Sequence, residues 1–151
     1  MAAAPPKHQT AALMATPDDI EAQFYEAFQH GDIDQLMAAW SDDDEIVCVL
    51  PGSPRFVGPQ AIRTAFEALL AHGGVPVRLQ QVRRIAQAGA AVHHLVAGVE
   101  LRNDKGVHTA WVIVTNVYLK TDKGWRLVAH HASPGTENEA PEVIEMPSIL
   151  H

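Results

Sequence analysis

Cysteine is almost absent: Cys48 is the only one in 151 residues. No disulfide can close within the chain, and no thiolate metal cluster can be built. Cys48 lies in the apolar run "EIVCVL" with no cationic neighbour, so it reads as a small core residue rather than a reactive thiol. Basic residues are also scarce, 11 against 18 acidic ones, and the net charge is −7. A nucleic-acid or anionic-membrane partner needs clustered Lys and Arg, and none is present. No window approaches the ~20 apolar residues that cross a bilayer. The opening "MAAAPPKHQTAALMA" lacks the basic start and apolar middle of a signal peptide. Residues 1–15 are therefore expected to form a flexible lead, and the protein is expected in the cytoplasm. No Gly-x-Gly-x-x-Gly or Walker pattern occurs, so no nucleotide or other cofactor is implied.

What is present is apolar and periodic: 47% hydrophobic against 19% charged, the composition of one packed domain. Thr16-Pro17-Asp18-Asp19 is a helix start, with a capping hydroxyl, a proline at the first turn and acids at the positive dipole end. Ile20, Phe24, Ala27 and Phe28 then share one face until Gly31. Asp32 caps a second helix, "IDQLMAAW", with Gln35 placed to complete a capping box. "EIVCVL" and "PGSPRFVG" read as a strand and a short extended piece. Gly58-Pro59 opens a third helix with Ile62, Phe66 and Leu69/Leu70 on its apolar side, ended by Gly73-Gly74.

From Val75 the period becomes strand-like. Four long segments are separated by the short turns "AGA", "NDKG" and "TDKG", which favours an antiparallel meander. The expected class is α+β: three N-terminal helices packed in a strongly curved, mixed but mainly antiparallel sheet. The domain is expected over residues 16–134, and 135–151 form a tail rich in acids that also carries Val143, Ile144, Met146, Ile149 and Leu150. That tail is loose, or lies across the sheet or a partner subunit.

The segments "FYEAFQHGDIDQLMAAWSDDDEIVCVLPGSPRFVGPQAI" and "TNVYLKTDKGWRLVAHHASP" resemble the SnoaL-like group of the nuclear-transport-factor-two-like, cystatin-like superfamily. The resemblance covers about residues 16–134. It implies a conical cavity open at one end and a homodimer through the outer face of the sheet. It does not choose among isomerases, cyclases, dehydratases, epoxide hydrolases and non-catalytic assembly domains.

Strand alternation then assigns candidates. Trp125, Leu127, Ala129, His131 and Ser133 share one face of the last strand, and His130 the other. Placing Trp125 and Leu127 on the helices points His131 and Ser133 to the cavity and His130 outward, unless a β-bulge swaps the faces. The preceding strand likewise puts Thr109, Trp111, Ile113, Thr115 and Val117 inside and Asn116 and Tyr118 outside, with Trp111 covering Gly98. Which of His93 and His94 faces inward is open. Ketosteroid-isomerase chemistry needs a carboxylate base, a tyrosine and a neutral carboxylic acid. Laid on that pattern this chain has Cys48 or Val49, Phe24 and Thr115, so that reading is rejected. Nine histidines raise the question of metal, but adjacent strand histidines diverge and no His-x-His or Glu-x-x-His spacing occurs, so no metal is expected.

The sequence thus points to a cavity that binds a small apolar organic molecule. If it is an enzyme, acid/base isomerisation, dehydration or cyclisation is expected, with His131 as base or polariser, Tyr25 as helper, and Trp40, Trp111, Thr115 and Ser133 as ligand contacts. Each has a plainer reading: His131 as a pocket-wall hydrogen bonder, Tyr25 as a buried hydroxyl that merely finds a partner, Trp40 as a core aromatic. The alternative function is non-catalytic, because "GWRLVAHHAS" also resembles the end of the association domain of calcium/calmodulin-dependent kinases.

Overall fold

The computed structural model describes residues 15–139. Helix α1 spans Pro17–His30 and α2 spans Ile33–Ala38; strands β1 (Val47–Val49) and β2 (Arg55–Val57) follow. Helix α3 covers Pro59–Leu69, and four long strands complete the domain: β3 (Val77–Ala86), β4 (Ala90–Asn103), β5 (Gly106–Thr121) and β6 (Gly124–Pro134). One six-stranded sheet runs in the order β2-β1-β6-β5-β4-β3. All neighbours are antiparallel except β1 and β6, which pair parallel. The expected α+β class and element order are therefore present.

The helix starts follow their sequence signals. The Thr16 side chain accepts from the Asp19 N–H, and the Asp19 carboxylate accepts from the Thr16 N–H and hydroxyl. These reciprocal bonds satisfy donors that an uncapped helix leaves open. Asp32 caps α2 by accepting from the Gln35 N–H. The reciprocal bond from the Gln35 side chain is not made; separately, the Gln35 main-chain carbonyl accepts from the Gln23 side chain on α1. Gly31 ends α1 at φ 70°, and Gly74 packs so closely that a Cβ there would lie 1.9 Å from the Gln29 carbonyl oxygen. The pair joins the end of α1 to the segment leading into β3.

The core lies between the helices and the concave face of the sheet. Ile20, Phe24 and Ala27 of α1, Leu36 of α2, and Ile62 and Phe66 of α3 are buried against Ala91, Leu95, Val114, Tyr118 and Leu127. Removing that surface from water is the main favourable term holding helices to sheet. Alternation along β4 and β5 is regular: Ala91, His93, Leu95 and Ala97 face inward, as do Val114, Asn116 and Tyr118. This corrects the expected face of β5, because Thr109, Trp111, Ile113, Thr115 and Val117 lie on the convex side. Apolar residues occupy both faces of that strand, so its own pattern does not say which is buried.

Strand β6 carries a bulge at Val128: Tyr118 pairs with Leu127, but Val117 pairs with Ala129. Before the bulge Leu127 points inward as expected; after it the faces exchange, and His130 and Ala132 are buried while His131 and Ser133 are exposed. The bulge falls where β6 changes partner. Leu127 bonds to Ala39 and Ser41 beyond α2, whereas Ala129 begins the register with β1.

Past β6 the chain lies on its own sheet up to Glu139. Gly135 bonds to Trp111, Gln81 donates to the Glu137 carbonyl, and Arg83 holds the Glu139 carboxylate with two bonds. The lead before Ala15 and the tail after Glu139 lie outside the described residues. Among the described residues, no helix is long and apolar enough to cross a membrane.

Candidate functional site

A cavity of about 340 Å³ opens between the helices and the concave sheet face. Its wall is made by Phe24, Phe28, Phe66 and Leu69 of the helices, Leu50 and Pro51 after β1, and Val77, Ala97, Val99, Leu101, Val112, Val114 and Ala132 of the sheet. That volume lies in the usual range for small-molecule sites. Trp111 contributes to the rim, but its ring lies over Gly98 on the convex side, where a Cβ would sit 2.8 Å from the indole. The expected pairing of Trp111 with Gly98 is present. The other polar side chains that reach the cavity wall are Tyr25 and His130.

These two are joined by Asn116. Nδ1 of His130 lies 2.6 Å from Oδ1 of Asn116, and Nδ2 of Asn116 donates to the Tyr25 hydroxyl at 3.1 Å. The chain of contacts continues away from the cavity. The Tyr118 hydroxyl donates to Oε2 of Glu21 at 3.0 Å, and Nδ1 of His93 lies 2.7 Å from the same oxygen. Nε2 of His93 lies 3.8 Å from Asp18, which Arg84 holds from solvent at 2.8 Å. Glu21, His93, Asn116, Tyr118, Tyr25 and His130 are all buried. A buried polar group without partners is costly, and this set satisfies itself internally.

Local structure explains the convergence. Glu21 and Tyr25 are four residues apart on α1, so they stack on one helical face toward the sheet. His93 and Asn116 are register partners on β4 and β5, and Asn116 and His130 are partners on β5 and β6. The three thus form one row across the concave face.

Electrostatics set the protonation states. Burial pushes the His130 imidazole down to about 4, assisted by the positive charge that His131 can carry. It is neutral at pH 7. Its ring packs on Phe24 at 5.3 Å and Phe66 at 6.5 Å between centroids. Burial raises Tyr25 far above the ordinary phenol value, against a smaller opposing effect of the Asn116 bond. Burial and the Glu21 carboxylate raise Tyr118 likewise. Both phenols stay protonated. Cys48, the register partner of His130, is pushed up to about 12 by burial and is no nucleophile.

Of the residues singled out from sequence, Tyr25 is in the site, while Trp111 reaches only its rim and turns its ring to the convex face over Gly98. His131 is exposed on the convex face, because the Val128 bulge reverses the alternation. Thr115 also lies on the convex side, where its hydroxyl meets Nδ1 of His94 at 3.1 Å. Ser133 is exposed there too. Trp40 is buried and packs edge-on against Phe24 at 6.3 Å, but it lines a separate groove with Ser41, Asp42 and Arg63 rather than the cavity. Glu21 was not singled out, the inward face of His93 was open, and Asn116, Tyr118 and His130, expected on the outer face, are buried on the inner one. Asp18, Glu21 and His93 have metal-ligand spacing. Yet Glu21 meets Nδ1 and Asp18 faces Nε2, so one ion bound to the imidazole cannot take both carboxylates without moving them. Adjacent histidines diverge as expected: His93 and His130 inward, His94 and His131 outward.

A curved sheet folded around three helices, with a largely apolar cavity between, defines a cone-shaped α+β protein of the cystatin-like type. The chain belongs to the SnoaL-like family, whose domain model matches residues 18–137. It is 30% identical to a protein of Thiobacillus denitrificans provisionally described as a calcium/calmodulin-dependent protein kinase type II association domain, covering 80% of this chain and 96% of that one at TM-score 0.71. A Streptomyces avermitilis protein, provisionally described as a dehydratase of the nuclear-transport-factor-two-like family, is 23% identical over 87% of this chain and 99% of its own, at TM-score 0.71. A Novosphingobium aromaticivorans protein with a cystatin-like fold is 16% identical over 79% of each chain, at TM-score 0.66. No functionally curated protein matches the sequence.

Proposed function

We propose that the chain binds a small, neutral, largely apolar organic molecule in the conical cavity and moves a proton on it. The observation that carries this reading is the pairing, in an otherwise apolar wall, of one phenol with one neutral imidazole. Neutral His130 has a lone pair to take a proton from carbon, and protonated Tyr25 can hydrogen-bond an oxygen on which charge develops. The base is His130 in place of His131. The electron pair of the broken C–H bond moves toward a carbonyl held by Tyr25, and the proton returns from His130 to carbon or to a departing hydroxyl. Isomerisation or dehydration results, without a cofactor.

The test is α-hydrogen exchange. A bicyclic ketone such as 2-tetralone is incubated with the protein in deuterated buffer and followed by NMR. Exchange above the buffer rate is expected, lost in His130→Ala and Tyr25→Phe and kept in His131→Ala. Exchange no faster than buffer, or equal in His130→Ala, overturns the catalytic reading.

The same reading includes self-association through the convex sheet face, where Ile85, Ile113 and Leu119 are exposed. A second reading, favoured by the 30% identity to the Thiobacillus protein, is a non-catalytic assembly hub. Light scattering separates them: a dimer fits the ligand-binding reading, and a large ring favours the hub.

A further inference from the structure

Asn116 lies where both polar groups of the cavity meet, and it is fully buried. Its Oδ1 faces Nδ1 of His130, and its Nδ2 faces the Tyr25 hydroxyl. An amide oxygen only accepts, so Nδ1 carries the imidazole proton and Nε2 keeps a lone pair. An amide nitrogen only donates, so the Tyr25 oxygen receives that bond and its own hydrogen remains to be given. Turning the amide over would reverse both roles. The Tyr118 hydroxyl donates to the Glu21 carboxylate, so it has no hydrogen left to give to an inverted amide oxygen.

We infer that Asn116 is the specificity-determining residue of the cavity: bonded to both polar groups, it makes Tyr25 a donor and His130 an acceptor, and so selects a neutral ketone or aldehyde on an apolar skeleton. A carboxylate is disfavoured, since among the described residues no cationic side chain lines the cavity and His130 offers it a lone pair. A hydrocarbon of the same shape leaves the Tyr25 hydrogen without an acceptor. This deepens the small-molecule reading above and rests on it.

The experiment has three probes and one spectrum. 2-Tetralone, tetralin and tetralin-2-carboxylate are titrated into the full chain by NMR. The ketone is expected to bind at least about fivefold tighter than tetralin, although tetralin is the more hydrophobic, and tighter still than the carboxylate. Nitrogen-15 shifts are expected to show His130 as the Nδ1–H tautomer. In Asn116→Asp the new carboxylate accepts from both neighbours, Tyr25 turns its hydrogen toward it, and the preference for ketone over tetralin falls to one or below. If that variant does not fold, Tyr25→Phe must lose the same preference. Equal binding of ketone and tetralin by the unaltered protein, or an Nε2–H tautomer, overturns the inference and leaves the cavity reading standing. Binding of none of the three overturns both.

Discussion

The burial of His130 makes the stability of this fold depend on pH between about 4 and 6.5. The imidazole falls from its ordinary 6.5 to about 4 in the folded chain, chiefly because burial penalises its charged form. The unfolded chain binds a proton near 6.5, whereas the folded chain resists it down to about 4. The lowered value means the contribution is fully present above 6.5, is lost as the pH falls, and changes no further below about 4. At about 1.4 kcal/mol per pH unit, the loss across that window is about 3 kcal/mol, a large part of the stability of a domain this size. The groups around the imidazole do not offset it. Asn116, Phe24 and Phe66 carry no charge, the Tyr25 and Cys48 groups stay protonated, and among the described residues no carboxylate touches the ring. The charge that His131 can gain lowers His130 further.

The assay is urea unfolding between pH 4 and 7.5 for the unaltered chain and for His130→Gln, which can still donate to Asn116 but does not titrate. The other histidines are common to both proteins, so the difference between the curves isolates one site. The unaltered chain is expected to lose about 3 kcal/mol more than the variant as the pH falls through the window. Parallel curves would refute the reasoning, as would an NMR titration of His130 centred near its ordinary value.

Three further outcomes are expected. Glu21→Ala leaves His93 and Tyr118 without their shared acceptor and should cost roughly 3 kcal/mol, read as a drop in the urea midpoint; a change under about 1 kcal/mol would show that the buried polar set adds nothing. Gly74→Ala forces a Cβ to 1.9 Å from the Gln29 carbonyl oxygen, and the backbone shift that relieves it should cost about 2 kcal/mol or more; a neutral thermal melt would contradict the close packing of α1 on the segment before β3. Thr16→Ala removes the capping hydroxyl of α1 and should cost about 1 kcal/mol, checked by the same unfolding series.

The first half of the chain was legible from sequence because its signals are local. Thr16, Pro17 and Asp19 start α1, Gly31 stops it, and the structure places the ends there. The order of strands was legible from the short turns. The faces of β5 and β6 were not, and the reason is a long-range event: the bulge at Val128, set by β6 leaving the segment after α2 to pair with β1. Nothing local in "WRLVAHHAS" marks it. The two-residue loop Asp122-Lys123 fixes Tyr118 opposite Leu127, and cross-strand partners share a face. Once Leu127 was placed inside, Tyr118 and hence Asn116 had to be inside as well.

The same bulge decides the chemistry. Continued alternation past Leu127 would turn His130 outward and bring His131 in, and Asn116 would lose the β6 imidazole that its Oδ1 meets. The extra residue brings His130 to the concave side beside Asn116, against Phe24 and Phe66. Glu21 and Tyr25 lie opposite because they are one turn apart on the capped helix. The cavity's polarity therefore comes from a local signal, the spacing along α1, meeting a non-local one, the register shift in β6. Glu21 was visible as an acid beside the apolar stripe of α1. A carboxylate in that position asks for buried donors across the interface, and His93 and Tyr118 are those donors. Searching the strands for partners to a core-facing acid would have reached the site without knowing the bulge.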